Sequence, residues 1–158
     1  LGAGVRGDAR VINEQNSAKG IDEIQADPFR GSGAVHNPEL EMVEARKNID
    51  FFANLKAQMW WSLRMRFQNT YRALQGMQYD PDALISLSTE DLDKRELEQL
   101  KRELSQPTYS KNGAGKILVN KQPDGALSPN RADSVMICFS DIKPPARLRP
   151  GGGGSRSF

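Results

Sequence analysis

The chain has 158 residues, of which 37% are apolar and 27% are charged, so it can build one modest hydrophobic core. Its formal net charge of +2 excludes a strongly basic protein whose overall charge alone would indicate nucleic-acid binding. The single cysteine, Cys138, excludes an internal disulfide framework and cysteine-rich zinc sites, and it is expected to be a small buried residue.

The N-terminal part predicts a glycine-rich loop over residues 1–7 and a helix over residues 8–18 that ends at Gly20. Weak alternation predicts a strand over residues 21–26, which a loop rich in proline and glycine follows. Glycines before a helix could also face a phosphate. The Lys-Ser/Thr ending of a P-loop is absent, so we favour close packing of the helix against the strand. The lone loop histidine, His36, is expected to be solvated.

The strongest helical pattern covers residues 48–75, which predict one continuous helix of about 40 Å. Apolar side chains recur there at steps of three and four residues, and Gly76 can end the helix. Two adjacent tryptophans, Trp60 and Trp61, could form a stacking platform for nucleic-acid bases. We favour a place in the core, with one ring buried and the other half-exposed, because a stripe with this spacing is more often core.

A turn at residues 80–82 separates the long helix from a shorter one. Residues 88–91, Ser-Thr-Glu-Asp, have the composition of a helix start, with acids suited to the helix dipole. This helix is expected to reach about Ser105, with leucines facing inward and a mixed-charge face in solvent. Pro107 is expected to end it.

Residues 108–110 and 116–120 are short β-prone runs on either side of an Asn-Gly sequence, which predicts a β-hairpin. Three lysines lie in or beside it: Lys111, Lys116 and Lys121. We favour an ordinary exposed hairpin kept soluble by lysine. The alternative is a basic finger that contacts DNA, for which these lysines and Arg131 are the candidates.

The last predicted helix covers residues 129–140, with Ser128 as its N-cap and Pro129 at its first helical position. Val135, Met136 and Phe139 are expected on or near its apolar face, and Ile137 and Cys138 are also expected to be buried or nearly so. Beyond a domain of residues 1–142, the basic and glycine-rich residues 143–158 predict a flexible tail. The sequence contains no apolar run of about 18 residues that would predict a membrane-spanning helix.

Asp133 lies in the first or second turn of this helix, beside small or apolar residues. A carboxylate at this position is partly removed from water and favoured by the helix dipole. It is also a hard ligand suited to Mg²⁺ or Mn²⁺. The alternative is that Asp133 only adds charge to the first turn or pairs with Arg131. A lone aspartate is a weak signal, so spacing alone favours that alternative.

Three stretches resemble the closing part of the large terminase subunits of tailed bacteriophages. They are residues 104–109 (Leu-Ser-Gln-Pro-Thr-Tyr), residues 115–119 (Gly-Lys-Ile-Leu-Val) and residues 128–136 (Ser-Pro-Asn-Arg-Ala-Asp-Ser-Val-Met). Residues 52–61 and 1–5 fit the same family, in consistent order, so the resemblance covers most of the chain. The run that ends at Asp133 is its most specific part.

This resemblance implies an α/β, RNase H-like nuclease fold in which three acidic residues hold two divalent metals and the enzyme cuts concatemeric viral DNA. Asp133 matches the last of those acids, so the resemblance implies a catalytic and metal-binding role for it, with Mg²⁺ or Mn²⁺ as cofactor. The implied partners are double-stranded DNA, the portal and the small terminase subunit, in the host cytoplasm and without a membrane.

The family's other two acids, its first sheet strands and its packaging ATPase domain would all precede Leu1. The chain is therefore expected to be an incomplete nuclease that does not cut DNA by itself, with sheet edges exposed by the missing strands. The alternative is a non-enzymatic interaction module of the packaging motor, which docks its aromatic and leucine-rich helices onto a partner. A small DNA-binding regulator is disfavoured by the near-neutral charge and by the lack of a convincing helix-turn-helix.

Overall fold

The computed structural model of the chain describes residues 3–22, residue 24 and residues 29–140. Residues 29–140 form one compact unit, and the N-terminal helix belongs to another. In chain order the described helices and strands are α1 (Ala3–Ala18), α2 (Asn48–Phe51), α3 (Leu55–Leu74), α4 (Lys94–Ser105), β1 (Thr108–Lys111), β2 (Ile117–Asn120) and α5 (Asn130–Cys138). Among these described helices, none combines the length and the apolar character that spanning a membrane requires.

The N-terminal helix α1 begins at Ala3, so the predicted loop over residues 1–7 is wrong from its third residue onward. Glycine inside a helix costs about 1 kcal/mol relative to alanine, and a long helix can tolerate that. The predicted stop is confirmed, because Gly20 takes a left-handed φ of 66° just after the helix. The described residues of the predicted strand, Ile21, Asp22 and Ile24, are not in a strand, and the rest of it lies outside the described residues.

The predicted continuous helix over residues 48–75 is wrong, because the backbone is extended at Phe52 and at Asn54. Asn54 is the N-cap of α3, and its side chain accepts a hydrogen bond from the Ala57 N–H at 3.0 Å. The Ala53 N–H donates to the Ile117 carbonyl at 2.9 Å, which ties the break to strand β2. A local cap and a long-range backbone bond therefore interrupt an apolar pattern that has helical spacing throughout.

Phe52 lies at the centre of the core, with 1% of its surface exposed. Its ring packs edge-on against Phe51, with centroids 4.8 Å apart, and against Trp61, at 6.3 Å. Trp60 is buried and Trp61 half-exposed, which confirms the prediction for the two tryptophans. Other buried apolar residues in the described part of the chain include Ala57, Met59, Leu63, Ile85, Leu100, Ile117, Val119, Pro129, Ala132 and Met136.

The second half of α3 does not follow the predicted core stripe. Phe67, Tyr71 and Leu74 continue the helical spacing, yet their exposed fractions rise from 37% through 62% to 79%. No described element covers this side of the helix, although the turn at Pro81–Ala83 packs on α3. Hydrophobic periodicity located the stripe correctly but could not show where along the helix its cover ends.

The loop before α2 is held by two buried amide side chains. Gln58 accepts a hydrogen bond from the His36 N–H at 2.7 Å and donates to the His36 carbonyl at 2.9 Å. Asn48 donates to the Asn37 carbonyl at 2.9 Å and accepts from the Met42 N–H at 3.0 Å. His36 is half-buried rather than solvated, because its backbone is fixed against α3.

Helix α4 starts at Lys94, later than the predicted start at residues 88–91. Asp93 is its N-cap and forms a capping box with Glu96, whose own side chain reaches back to the Asp93 N–H. The sequence contains both signals, and the reciprocal capping box decides between them because it satisfies two backbone donors at once. The predicted end is confirmed, since α4 stops at Ser105, before Pro107.

The predicted hairpin is confirmed. Strands β1 and β2 pair antiparallel, with Thr108 opposite Asn120 and Lys111 opposite Ile117. In the turn, the Asn112 side chain accepts hydrogen bonds from the backbone N–H groups of residues 114 and 116. Strand β1 is exposed throughout, whereas β2 buries alternate residues against α3. This two-stranded sheet is the only sheet in the described part of the chain.

Helix α5 differs from its prediction at both ends. Pro129, not Ser128, is the N-cap residue of α5. Its side chain makes no capping hydrogen bond. The helix packs against α3 and α4. Ile137 and Cys138 are exposed, so their predicted burial is wrong. The predicted basic and glycine-rich tail over residues 143–158 lies outside the described residues.

Candidate functional site

Asp133 lies in the first turn of α5, in agreement with the predicted first or second turn. Its N–H donates to the Pro129 carbonyl at 2.7 Å, so the backbone at this position belongs to the helix. Its side chain is 20% exposed and accepts a hydrogen bond from the Lys121 ammonium, which is 23% exposed. Asp133 is therefore a half-buried carboxylate whose partner in this state is a cation from the segment that follows β2.

The N-terminus of α5 is capped from another helix. Glu103 of α4 is 7% exposed, and its Oε2 accepts hydrogen bonds from the N–H groups of Arg131 at 2.7 Å and Ala132 at 3.1 Å. Its Oε1 accepts a third from the Gln99 Nε2 at 3.0 Å. Sequence reasoning missed Glu103, although a signal existed. The residue stands between the inward-facing Leu100 and Leu104 of an otherwise amphipathic helix, where a carboxylate needs a buried partner.

Gln106, which follows α4, fixes the segment that leads into α5. Its Nε2 donates to the Lys121 carbonyl at 2.6 Å and to the Leu127 carbonyl at 2.8 Å. Gln106 was not predicted as a functional residue, because its partners are backbone groups 15 and 21 residues away. Glu103 thus binds the backbone directly before Asp133, and Gln106 binds the backbone of Lys121.

The predicted pairing of Asp133 with Arg131 does not occur. Arg131 instead points to Glu96, with Nη2 and Oε1 3.5 Å apart and both side chains 42% exposed. An aspartate and an arginine two positions apart on a helix point in different directions, whereas Lys121 approaches from a separate segment. Lys121, the candidate cation nearest Asp133 in space, therefore pairs with Asp133, whereas Arg131, the nearest in sequence, pairs with Glu96.

The four DNA-binding candidates are not one patch. Lys111 and Lys116 flank the hairpin turn, since the Asn112 N–H between them donates to the Lys116 carbonyl. Lys121 lies beyond the far end of β2, roughly 17 Å from Lys116 at about 3.3 Å per strand residue. Only Lys121 and Arg131 accompany Asp133. The DNA-contact roles of these residues stay predictions.

The described part of the chain offers few side chains near Asp133 that could bind a metal ion. Within the described residues, no three histidine, cysteine, aspartate or glutamate side chains come together as a metal-binding group. The carboxylate of Asp133 has the hard oxygen donors that Mg²⁺ and Mn²⁺ prefer, but one carboxylate holds such ions weakly. The geometry fits one ligand of a larger site.

No protein-family model matches the chain, and no curated protein matches it at a significant level. Solved structures do match. The nuclease domain of the large terminase subunit gp2 of bacterial virus Sf6 is 33% identical, with a TM-score of 0.65, over 73% of this chain and 53% of that one. A mutant of that domain solved with manganese and β-thujaplicinol is 32% identical, with a TM-score of 0.71, over 90% of this chain and 64% of that one. A mutant solved with calcium is 34% identical, with a TM-score of 0.62, over 70% of this chain and 50% of that one.

In sequence and in fold, the chain is similar to the nuclease domain of a bacteriophage large terminase subunit. The terminase nuclease domain is RNase H-like, so the predicted fold class is confirmed. The chain spans between 50% and 64% of the length of these solved nuclease domains. The resemblance first read from the run that ends at Asp133 thus extends to the three-dimensional fold. The role of Asp133 itself stays a prediction.

Proposed function

We propose that this terminase nuclease chain forms part of a metal-dependent endonuclease that cuts concatemeric double-stranded viral DNA during genome packaging. The observation that carries the proposal is the half-buried Asp133, fixed in the first turn of α5 and neutralised by Lys121. Related nuclease domains have been solved with manganese and with calcium, which supports a divalent-ion site in this family. Mg²⁺ or Mn²⁺ would serve as the cofactor.

In this proposal Asp133 is a catalytic residue and metal ligand, because a carboxylate oxygen would bind the ion directly. A pair of divalent ions, when bound, supplies the activation of water and the stabilisation of the leaving 3′ oxygen. Lys121 would hold Asp133 in place when no ion is present, and it must give up the carboxylate oxygen when one binds. Lys111, Lys116 and Arg131 would contact DNA phosphates, whose charge favours lysine and arginine.

The chain is proposed to supply one acid of a three-acid site. The remaining two acids would come from parts of the nuclease domain that this chain does not contain. The portal, the small terminase subunit and a packaging ATPase would be its partners in the cytoplasm of the infected cell.

The test is cleavage of supercoiled plasmid DNA by a nuclease domain that contains this chain together with the two further acids. We expect linear product to appear with Mn²⁺ and to be lost when EDTA removes the metal. Restored cleavage after addition of excess Mn²⁺ is the control for irreversible damage. If the folded domain never cuts, or cuts equally well in EDTA, a non-enzymatic interaction module becomes the better interpretation.

Substituting Lys121 by methionine is expected to lower the Mn²⁺ concentration that gives half-maximal metal binding. The ammonium competes with the ion for one Asp133 oxygen, and a competing interaction of about 1 kcal/mol corresponds to roughly a fivefold change. Methionine keeps the length of the side chain but not its charge. Mn²⁺ binding can be followed by electron paramagnetic resonance of the free ion.

Lys111→Met is the matched control. Lys111 is exposed on the hairpin, where its backbone lies opposite Ile117 of β2. It should leave the half-saturating Mn²⁺ concentration unchanged. Weaker Mn²⁺ binding in Lys121→Met would contradict the competition and would mean that the lysine supports the site instead.

A further inference from the structure

The carboxylate of Glu103 is nearly inaccessible to water, yet among the described residues no cationic side chain lies at hydrogen-bond distance from it. Its partners are two backbone N–H groups in the first turn of α5 and the Gln99 side-chain amide. These N–H groups belong to residues 131 and 132, directly before Asp133. A helix leaves its first N–H groups without internal partners, and here a distant carboxylate satisfies two of them.

The cap comes from Glu103 because α5 has no local one. Pro129 stands at the N-cap position and offers no side-chain acceptor, and the Ser134 hydroxyl bonds within the helix, to the Asn130 carbonyl. The direction in which α5 leaves the chain is therefore set by α4, 28 residues earlier in sequence. Since Asp133 is rigidly part of that turn, its carboxylate direction depends on the same contact.

Gln106 adds a second constraint from the same end of α4. It binds the carbonyls of Lys121 and Leu127, which delimit the segment between β2 and α5. One short stretch of chain, residues 103–106, thus holds the backbone that carries Lys121 and the backbone that carries Asp133. Together these bonds fix the distance between the two charged groups.

We propose that Glu103 is a positioning residue that acts through the backbone of α5 to aim Asp133 at the divalent ion, with Gln106 holding Lys121 in register. This inference rests on the proposed metal role of Asp133. Glu103 itself touches neither the ion nor DNA. Groups that orient a metal ligand usually change metal affinity by about tenfold or more when they are removed.

The experiment compares Glu103→Ala and Glu103→Gln in the nuclease domain that contains all three acids, and it measures cleavage rate against Mn²⁺ concentration. Glu103→Ala is expected to raise the half-saturating Mn²⁺ concentration about tenfold. Glu103→Gln should stay within about threefold of the unsubstituted protein, because one amide oxygen can accept both backbone bonds. Circular dichroism and a thermal melt, with assays well below the melting temperature, separate positioning from loss of fold.

Glu98→Ala is the matched control, since Glu98 also lies on α4 but is exposed and pairs with Lys101, at 2.8 Å. It should leave metal dependence unchanged. If Glu103→Ala does not fold, Gln106→Ala provides the test, with an expected rise of severalfold in half-saturating Mn²⁺. The inference would be overturned if the half-saturating Mn²⁺ concentration did not change in whichever of these variants folds. It would also be overturned if Glu103→Gln and Glu103→Ala raised that concentration equally.

The two proposals fail in different ways. If the unsubstituted domain shows no Mn²⁺-dependent cleavage, or keeps it without the Asp133 carboxylate, the proposed function fails. If cleavage needs Asp133 and the Glu103 variants are folded with unchanged Mn²⁺ dependence, only the positioning role fails.

Discussion

Asp133→Asn is expected to lower Mn²⁺-dependent cleavage of double-stranded DNA by at least about a hundredfold. Asparagine keeps the shape of the side chain but removes the negative charge that would bind the ion. Charge stabilisation by a bound metal contributes several kcal/mol to such a transition state, and each 1.36 kcal/mol is about tenfold in rate. The measurement is the initial rate of plasmid linearisation at saturating Mn²⁺ in the nuclease domain with all three acids.

Asp124→Asn is the control for this substitution. Asp124 is exposed in the turn before α5 and takes a left-handed φ of 50°, which asparagine tolerates well. It should cleave at the unsubstituted rate. Cleavage that survives in folded Asp133→Asn would remove Asp133 from the catalytic machinery and leave it as the partner of Lys121 alone.

Phe52→Ala is expected to lower the free energy of unfolding by about 3–5 kcal/mol. Phe52 is the most enclosed aromatic residue of the core, and its ring contacts both Phe51 and Trp61. Alanine would leave a cavity where α2, α3 and β2 meet, since the backbone of residues 52 and 53 bridges to Ile117. Urea denaturation followed by tryptophan fluorescence measures the loss.

Phe67→Ala is the matched control, because Phe67 is the same residue type on the exposed half of α3. Its loss should be clearly smaller than that of Phe52→Ala, because Phe67 is 37% exposed and its removal leaves no closed cavity. Equal losses would mean that the exposed stripe of α3 is covered in solution, or that the break at Phe52 is not the centre of the core.

The helices and the hairpin show which features of this protein can be predicted from sequence patterns. The Asn112-Gly113 turn was predictable because its hydrogen bonds join residues at most four positions apart. The break between α2 and α3 was not predictable in this way, although Asn54 is a good capping residue. The apolar spacing continues through it, and what interrupts the helix is pairing with Ile117, far along the chain.

Burial was predicted less well than secondary structure. The exposed Ile137 and Cys138 lie in an apolar run, and the exposed Leu74 continues a stripe with helical spacing, so sequence context alone favours the core for all three. A helix face is buried only where another element reaches it, and periodicity carries no information about where that element ends. The buried Glu103 is the converse case, a charged residue whose partner is a distant helix end.

The sequence by itself placed Asp133 in the first or second turn of a helix, since Ser128 and Pro129 are typical of a helix start. It also determined the hairpin, because the hairpin depends on residues that are neighbours in the chain, and it indicated the resemblance to terminase nucleases. Only the tertiary structure decided that Lys121, rather than Arg131, pairs with Asp133 and that Glu103 caps its helix. The physical reason is that charge pairing and capping over 12 to 29 residues depend on how separate segments pack.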